Sequence, residues 1–474
     1  MSYEDRPLVL ALENFHKQQP ISFHVPGHKH GILSGLPQAM QQALSYDVTE
    51  LTGLDDLHQP KEVILQAEKK LSRLYGSGRS FFLVNGSTVG NLAMLYATVG
   101  KDDMVLVQRN AHKSVFHALE LTGAQAIFLS PQWNEHTKTV GGVARASVKE
   151  ALMRYPNVKA AVFTYPTYYG VANAELEDII SICHEQGIPV LVDEAHGAHF
   201  VVNESFPDSA LSLGADVVVQ SAHKTLPAMT MASFLHVRSK LVKMERVAHY
   251  LHMLQSSSPS YLLMASLDDA RQYAESYNEA DFAYFLSYRQ QLLKELRSIP
   301  DMDVLEVDDA LKLLIRVEGH TGFALQEVLE QQGIYSELAD LFQVLFVLPL
   351  VKVGHMGMPA DLIKKFRSAV DALHIADRTA LPQVLSLPTM PMSSSAYTVD
   401  QLREMKAEWL GIEDAEGRVA LEAVVPYPPG IPLLCPGERV TEEQVRQLID
   451  LIEAGSRFQG ALDIKTNRIK VVIE

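Results

Sequence analysis

The sequence predicts an α/β fold with a mostly parallel sheet, because short apolar segments alternate with helical patterns between residues 80 and 237. Continuous apolar strands that alternate with helices are typical of parallel sheets covered on both faces. The predicted strands are 80–84, 104–107, 125–129, 160–163, 189–192, 217–219 and 233–237. The predicted helices between them are 89–99, 114–121, 148–155, 176–186 and 209–213.

The flanking regions predict two helices before the sheet and two smaller domains after it. The early helices are 7–18 and 61–74, and a long helical stretch covers 270–297. The elements of a smaller α/β subdomain are 302–305, 311–317, 322–332 and 343–348. An irregular crossing at 376–400 leads to helix 399–409, strand 418–425, a rigid loop at 427–438 and helix 441–454. We therefore predict a major domain at 1–285, a small subdomain at 286–375 and a C-terminal domain at 376–474.

Composition and charge exclude several classes of protein. The 474-residue chain has no apolar run of the roughly 18 residues that a membrane span needs. Its first residues lack a signal peptide, and Cys183 and Cys435 are its only cysteines, so we expect a cytoplasmic protein. The net charge of −16 argues against nucleic acid as a partner. The same charge could attract a cationic substrate or could serve solubility alone.

The segment Gln220–Leu226 places Lys224 directly after a buried apolar strand. Burial disfavours the charged form of an amine, and a neutral amine can condense with an aldehyde. This position suggests the lysine that binds pyridoxal 5'-phosphate (PLP). A lysine that merely begins a solvated loop is the alternative.

Polar and titratable residues follow five of the predicted strands. In open parallel sheets, ligands bind beyond the carboxyl ends of the strands, so these residues should gather at one edge. They lie in 85–88, 108–114, 164–170, 193–199 and 220–225.

A PLP enzyme needs a lysine, a phosphate cradle, an acid for the pyridine nitrogen and a group on the ring face. Lys224 is the candidate lysine. The candidates for the phosphate cradle are Gly86, Ser87 and Thr88 at a predicted helix N-terminus, with Ser221 and His223. Asp193 is the candidate acid, and His112 is the candidate group on the ring face. His196 could reach the phenolic oxygen of the ring or the substrate carboxylate. Structural roles remain open as alternatives: a helix cap for Ser87 and Thr88, a turn cap for Asp193, and packing for His112 and His199.

Two other enzyme classes fit the sequence less well. Val192–His196 is similar to the magnesium-binding strand of helicase-type ATPases, but the chain contains no phosphate-binding loop of the required pattern. A metallohydrolase could use His24, His28, His196 or His199. Pro26 and Gly27 interrupt any helix between the first two, and no His-Glu-x-x-His pattern occurs, so we predict no metal.

Taken together, these motifs resemble those of the ornithine/lysine/arginine decarboxylase family of fold-type I, aspartate aminotransferase-like PLP enzymes. The resemblance covers nearly the whole chain and is greatest to short bacterial members without an N-terminal wing domain. The motifs are Phe23–Lys29, Asp47–Leu51, Gly53–His58, Asn85–Thr88, Arg109–Ser114, Asp193–His199, Ser221–Lys224, Ser257–Tyr261, Ala265–Asp268, Tyr427–Pro432 and Pro436–Glu438. The sequence has Ala111 where the family often has cysteine, and Cys435 in a usually apolar position.

The resemblance implies a role for each candidate residue. It implies Lys224, His112, Asp193 and His223 as catalytic residues, with Gly86, Ser87, Thr88, His196 and Ser221 completing the cofactor site. It implies substrate contacts by Glu438, His196 and Ser257, the last on a loop that reaches a neighbouring subunit. A homodimer or higher homo-oligomer with shared active sites is therefore expected.

The implied reaction is decarboxylation of a basic L-amino acid, arginine or lysine ahead of ornithine, to agmatine, cadaverine or putrescine. An aminotransferase or another PLP-dependent lyase is the alternative. An aminotransferase typically holds the substrate carboxylate with an arginine of its small domain, and Arg316 is the available candidate. A non-enzymatic regulatory homologue is a third possibility, which the filled catalytic positions disfavour.

Overall fold

The computed structural model describes residues 5–355, 357–375, 390–427, 431–453 and 457–474. The chain divides into two compact units. The first comprises Met1–Thr98, Lys113–Ala118 and Ile180–Asn278, and the second comprises Val99–His112, Leu119–Ile179 and Glu279–Glu474. The three-domain division stays a prediction.

The helices and strands follow the predicted alternation. The helices are α1 (Pro7–Lys17), α2 (Gln38–Ala43), α3 (Val63–Tyr75), α4 (Gly86–Thr98), α5 (Lys113–Thr122), α6 (Arg145–Arg154), α7 (Leu176–Glu185), α8 (Ala222–Thr225), α9 (Met244–Leu254), α10 (Tyr261–Glu275), α11 (Glu279–Leu296), α12 (Gly322–Gln331), α13 (Leu362–Ile375), α14 (Val399–Glu404) and α15 (Glu442–Glu453). The strands of the large sheet are β1 (Arg79–Leu83), β2 (Met104–Gln108), β3 (Gln125–Leu129), β6 (Val158–Thr164), β7 (Val190–Asp193), β8 (Val217–Gln220), β9 (Ser233–Val237) and β14 (Met392–Ser394). The remaining strands are β4 (Pro131–Asn134), β5 (Thr139–Val143), β10 (Met302–Glu306), β11 (Lys312–Val317), β12 (Leu338–Ala339), β13 (Val344–Val347), β15 (Ala407–Gly411), β16 (Val424–Tyr427), β17 (Arg457–Gly460), β18 (Leu462–Asp463) and β19 (Arg468–Val472).

The first unit holds four neighbouring strands in the order β1, β9, β8, β7. β7 and β8 are parallel, and β9 is antiparallel to both β8 and β1. β1, β7 and β8 therefore run in the same direction, and their carboxyl ends lie at one edge. This edge carries the predicted site segments of the first unit.

The second unit holds the order β6, β2, β3, β14. β2 is parallel to both β6 and β3, and β14 is antiparallel to β3. A separate antiparallel sheet has the order β10, β11, β13, β12, and a smaller one has the order β15, β19, β18. Two antiparallel pairs, β4 with β5 and β16 with β17, complete the strands of the described residues. All seven strands predicted for the large sheet are confirmed, and with them the mostly parallel α/β class.

Several predicted elements were wrong in part. Residues 209–213 form turns that end at Gly214, whose φ of +106° favours glycine. The stretch 270–297 is divided between α10, which ends at Glu275, and α11, which begins at Glu279. The helix at 399–409 stops at Glu404, since Ala407–Gly411 pairs with β19. The strand at 418–425 begins only at Val424, and 419 and 420 form isolated bridges.

Parts of two other predicted segments cannot be compared. Residues 376–389 of the irregular crossing and 428–430 of the rigid loop lie outside the described residues. In the described part of the crossing, residues 392–394 form β14 instead of irregular chain. No helix of the described ranges is both long and apolar enough to cross a bilayer.

Glu68 is a buried carboxyl that joins α3 to β1. It accepts hydrogen bonds from Arg79 Nη2 at 3.2 Å and from the Phe82 amide at 3.3 Å. Burial raises the pKa of Glu68 to about 7, although Arg79 opposes the shift. The folded state therefore holds this proton more tightly than the unfolded chain does. The stability that the proton confers is present below pH 4.5 and is lost as the pH rises through 7.

We expect Glu68→Gln to gain stability relative to the unsubstituted protein as the pH rises from 5 to 8. The gain should be roughly 1–3 kcal/mol, because the substituted side chain has no charge to desolvate. Thermal unfolding at both pH values measures it. Glu62→Gln, an exposed neighbour of α3, is the control. An equal pH response of Glu68→Gln and the unsubstituted protein would contradict the assignment.

Candidate active site

Lys224 lies in the short helix α8, directly after β8, and is only partly exposed. Its Nζ atom is 3.0 Å from His196 Nε2. His196 lies in the loop that follows β7 and is 5% exposed. The parallel pairing of β7 with β8 thus brings together two predicted site residues. Lys224 is held by a side-chain contact and is not a solvated loop lysine.

Asp193 ends β7 and is 2% exposed. Its Oδ1 accepts a hydrogen bond from the Ala195 amide at 3.1 Å, and its Oδ2 accepts one from Asn91 Nδ2 at 2.8 Å. Within the described residues, no cationic side chain pairs with this carboxylate. A buried carboxylate without a cation is costly, so the site suits a ligand that brings a positively charged N–H group.

The N-terminus of α4 faces the end of β8. A Cβ atom on Gly90 would lie 2.7 Å from Val219 Cγ1, so only glycine lets the helix pack this closely on the strand. The Ser221 hydroxyl donates to Ser87 Oγ at 2.8 Å. Gly86 begins the helix with a φ of +75°, and a Cβ there would meet nothing within 4 Å. An open helix N-terminus flanked by two hydroxyls has the features of an anion site.

Two further predicted residues lie close to this group. Thr88 is exposed in the first turn of α4. His223 belongs to α8, and its Nδ1 lies 3.1 Å from the Ala232 carbonyl. In the neutral ring, Nδ1–H donates to this carbonyl.

The other three predicted site residues are Ser257, His112 and Glu438. Ser257 is exposed in the loop between α9 and α10 of the first unit. His112 is exposed in the second unit, four residues after the end of β2. Glu438 also belongs to the second unit and is 1% exposed.

Glu438 forms a buried ion pair with Arg109. Arg109 Nη1 donates to its Oε2 at 2.9 Å, and Nη2 donates to Oε1. The Cys435 amide donates to Oε2 at 2.6 Å, and the Ser393 hydroxyl donates to Oε1. Both oxygens already accept two hydrogen bonds. The role of Glu438 as a substrate contact therefore stays a prediction that this arrangement does not favour.

Comparison with known families identifies the chain. The family model described as Orn/Lys/Arg decarboxylase, major domain, matches residues 6–307, and the C-terminal domain model of the same family matches residues 378–462. The chain belongs to the Orn/Lys/Arg decarboxylase family. The predicted resemblance is confirmed, and so is the prediction of an enzyme of the amino-acid decarboxylase class.

Relatives of this decarboxylase match it from end to end. The uncharacterized protein YaaO of Bacillus subtilis is 45% identical over 99% of this chain and 98% of its own length. The arginine decarboxylase of Bacillus subtilis is 33% identical over 100% of this chain and 99% of its own.

Solved structures confirm the fold class. Lysine decarboxylase LdcF of Francisella novicida has a TM-score of 0.78 at 19% identity and covers 99% of this chain and 81% of its own. Sphingomonas wittichii serine palmitoyltransferase has a TM-score of 0.54 at 16% identity, over 79% of this chain and 86% of its own.

The sequence-based prediction missed Asn91 and Glu194. Asn91 is fully buried, and its Nδ2 donates to both Asp193 Oδ2 and Ser114 Oγ at 2.8 Å. Its signal was a single amide in the otherwise apolar helix pattern at 89–99. Glu194 follows Asp193, and its buried carboxyl accepts hydrogen bonds from three groups. A second acid beside the first was visible in the sequence, but its partners were not.

Proposed function

We propose that this decarboxylase uses PLP to remove the α-carboxyl group of a basic L-amino acid, arginine or lysine ahead of ornithine. The proposal rests on the positions of Asp193 and Lys224 at or just beyond the ends of two adjacent strands. A buried carboxylate without a cation ends one strand, and a lysine held by His196 follows the adjacent parallel strand. An acid for the ring nitrogen and an amine for the aldehyde are the two groups that the cofactor needs.

PLP, when bound, supplies an electron sink for the electron pair that remains after carbon dioxide leaves. Asp193 would keep the pyridine nitrogen protonated, and Asn91 would orient that carboxylate. Ser87, Thr88, Ser221 and His223, with the Gly86 turn, would hold the phosphate. These assignments rest on the open helix N-terminus and on the hydroxyl pair at 2.8 Å.

Lys224 would bind the aldehyde and later hold the proton that returns to the substrate carbon. His196 lies within hydrogen-bond distance of its amine and can take up or supply that proton. His112 is proposed to lie on the ring face. Ser257 and Glu438 are proposed substrate contacts only through family resemblance.

The substrate class is supported by relatives and by charge. The arginine decarboxylase of Bacillus subtilis matches the chain over its whole length, and the structural neighbour from Francisella novicida is a lysine decarboxylase. The net charge of −16 attracts a cationic amino acid. Both cysteines are buried and form no disulfide, which supports a reducing compartment, the cytoplasm.

We expect the protein purified with PLP to be yellow, to be bleached by borohydride and to release carbon dioxide from arginine or lysine faster than from ornithine. L-citrulline, which has nearly the shape of arginine but no charge, is the control substrate and should react at least about tenfold more slowly. A colourless protein that gains nothing from added PLP would overturn the proposal.

An aminotransferase is the second candidate function, and it would need Arg316 to hold the substrate carboxylate. The Arg316 guanidinium donates to the His136 carbonyl at 3.1 Å, the Thr137 carbonyl at 2.6 Å and the Gln343 side chain at 2.6 Å. These bonds occupy the side chain within the second unit. Amino-group transfer to an added keto acid without release of carbon dioxide would support this candidate instead.

We further propose a homodimer that buries the N-terminal apolar surface, defined as Ile21, Phe23, Val25, Ile32, Leu33 and Met40. These side chains lie within one short segment, and Phe23 and Ile21 are 94% and 85% exposed. Monomeric proteins rarely expose contiguous apolar patches of this kind. A second copy is the proposed partner because the expected Ser257 contact also requires one.

Phe23→Asp is expected to weaken this dimer at least about tenfold, since a charge would be buried in an apolar contact. Sedimentation velocity over a concentration series measures the change. Met153→Asp, a substitution of an exposed apolar residue in the second unit, is the control. An unchanged dimer, or a monomer before substitution, would contradict the proposal.

A further inference from the structure

Four fully buried side chains form a polar chain beneath the candidate site of the first unit. They are Ser80, His236, Gln220 and Glu194. Ser80 Oγ lies 2.7 Å from His236 Nδ1, and His236 Nε2 lies 3.0 Å from Gln220 Oε1. Gln220 Nε2 in turn donates to Glu194 Oε2 at 2.5 Å. None of the four has a role in the reaction proposed above.

When ionised, the Glu194 carboxylate can only accept hydrogen bonds and so fixes the direction of every hydrogen bond from Glu194 to Ser80. Its carboxyl also accepts hydrogen bonds from the Ala210 amide at 2.6 Å and from the Ser209 hydroxyl at 2.8 Å. The amide of Gln220 must therefore point its N–H group at Glu194 and its oxygen at His236. His236 must then donate from Nε2, and its Nδ1 must accept from Ser80.

The carboxyl ends of β7 and β8 are both held by these hydrogen-bonded residues. Glu194 directly follows Asp193, and a Cβ atom on Gly197 would lie 2.6 Å from Glu194 Cγ. The loop that carries His196 thus closes directly over the Glu194 side chain. Gln220 is the last residue of β8, and Lys224 follows one turn later.

We propose that Glu194, acting through Gln220 and His236, is a positioning residue that sets the distance between Lys224 and His196. The proposal rests on the proposed function of those two residues. Glu194 itself touches neither the reacting atoms nor the cofactor site. Its side chain packs against Gly197 in the loop that carries His196. Through the Gln220 amide it also holds the end of β8, which leads to Lys224.

The chemical state of both ends agrees with this assignment. Burial lowers the pKa of His236 to about 3, so the ring is neutral and carries one N–H. Burial also raises the pKa of Glu194 to about 7, although its three hydrogen bonds oppose the shift. The carboxylate form, which can only accept, therefore prevails above pH 7, and the tautomer is to be measured at about pH 8.5. Tyr75 stacks on the His236 ring at 4.4 Å between ring centroids and keeps it in place.

Glu194→Gln should reverse the direction of the hydrogen bonds between residue 194 and Ser80 without breaking any of them. The new amide nitrogen donates to Gln220, whose side chain turns over and donates to His236 Nε2. The His236 proton then moves to Nδ1 and is donated to Ser80, which can donate to Ser77 Oγ, 2.8 Å away. Glu194→Leu cannot do this, because it leaves the Ala210 amide and the Gln220 N–H groups without an acceptor.

Two measurements test the proposal on the PLP-loaded protein. Nitrogen-15 chemical shifts of histidine-labelled protein report the His236 tautomer, and His236→Phe assigns the signal. We expect Nε2–H in the unsubstituted protein and Nδ1–H in Glu194→Gln. Steady-state kinetics should show kcat lowered by about 10–100-fold in Glu194→Leu with KM little changed, and largely recovered in Glu194→Gln.

Glu204→Leu, an exposed acid in the segment after Phe200, is the matched control and should change neither readout. If Glu194→Leu does not fold, Gln220→Leu breaks the same link and should lower kcat in the same way. An unchanged tautomer in Glu194→Gln, or full kcat in both leucine variants, would overturn the proposal. The tautomer does not depend on turnover, so a failure of the proposed function would be seen separately.

Discussion

Lys224→Ala is expected to lower kcat for decarboxylation on the order of 10³-fold or more and to leave the protein without cofactor that borohydride can fix to the chain. In the proposed reaction, alanine would remove both the amine that binds the aldehyde and the group that returns the proton. The contact with His196 Nε2 at 3.0 Å is lost with it. Activity assays and the mass of the borohydride-treated protein measure the two effects.

Lys224→Arg separates the chemistry of the amine from its charge. The guanidinium stays protonated and cannot condense with an aldehyde, so this variant should be as inactive as the alanine variant. Lys149→Ala, at an exposed lysine of α6, is the control and should keep full activity. Borohydride-fixed cofactor in either Lys224 variant would show that another lysine holds it.

The second large effect is expected from Arg109→Met, which should cost about 3–5 kcal/mol of stability. Methionine fills much of the volume of arginine but leaves the Glu438 carboxylate buried without a cation. Arg109 and Glu438 are 1% exposed, so water cannot replace the lost partner. Denaturant unfolding, followed by a probe placed in the second unit, measures the loss.

A double substitution makes this prediction specific. Adding Glu438→Gln to Arg109→Met removes the unpaired charge while keeping an oxygen for the Cys435 amide. The double variant should therefore be more stable than Arg109→Met alone, by about 1–3 kcal/mol. Arg403→Met, which breaks the exposed pair with Glu120, should cost less than about 1 kcal/mol. A double variant no more stable than Arg109→Met would contradict the explanation.

The fold was largely predictable because its strands are continuous apolar segments. The rule that ligands bind at strand ends then predicted Asp193, His196 and Lys224 as one group. The structure places Lys224 Nζ 3.0 Å from His196 Nε2, in segments that follow the adjacent parallel strands β8 and β7, and Asp193 ends β7. The break between α10 and α11 was not predictable from periodicity. The three residues between them, 276–278, include a serine and an asparagine but no proline or glycine that would mark the break in the sequence.

Side-chain partners were the part that the sequence could not predict. Glu194 was visible as an acid beside Asp193, yet its partners Ser209 and Gln220 are 15 and 26 residues away. Glu438 was assigned to the substrate by resemblance alone. Its pairing with Arg109 depends on how distant segments pack, which no local pattern encodes.

The Arg109–Glu438 pair also sets an order of events during synthesis. The two residues are 329 positions apart, and a ribosome adds about 5–20 residues per second. Arg109 is therefore added to the chain roughly 16–66 s before Glu438. Because a lone guanidinium is costly to bury, this part of the second unit should stay open until nearly the whole chain has been made. A nascent chain stalled before position 438 should accordingly be cleaved by protease near Arg109, whereas the finished protein should resist.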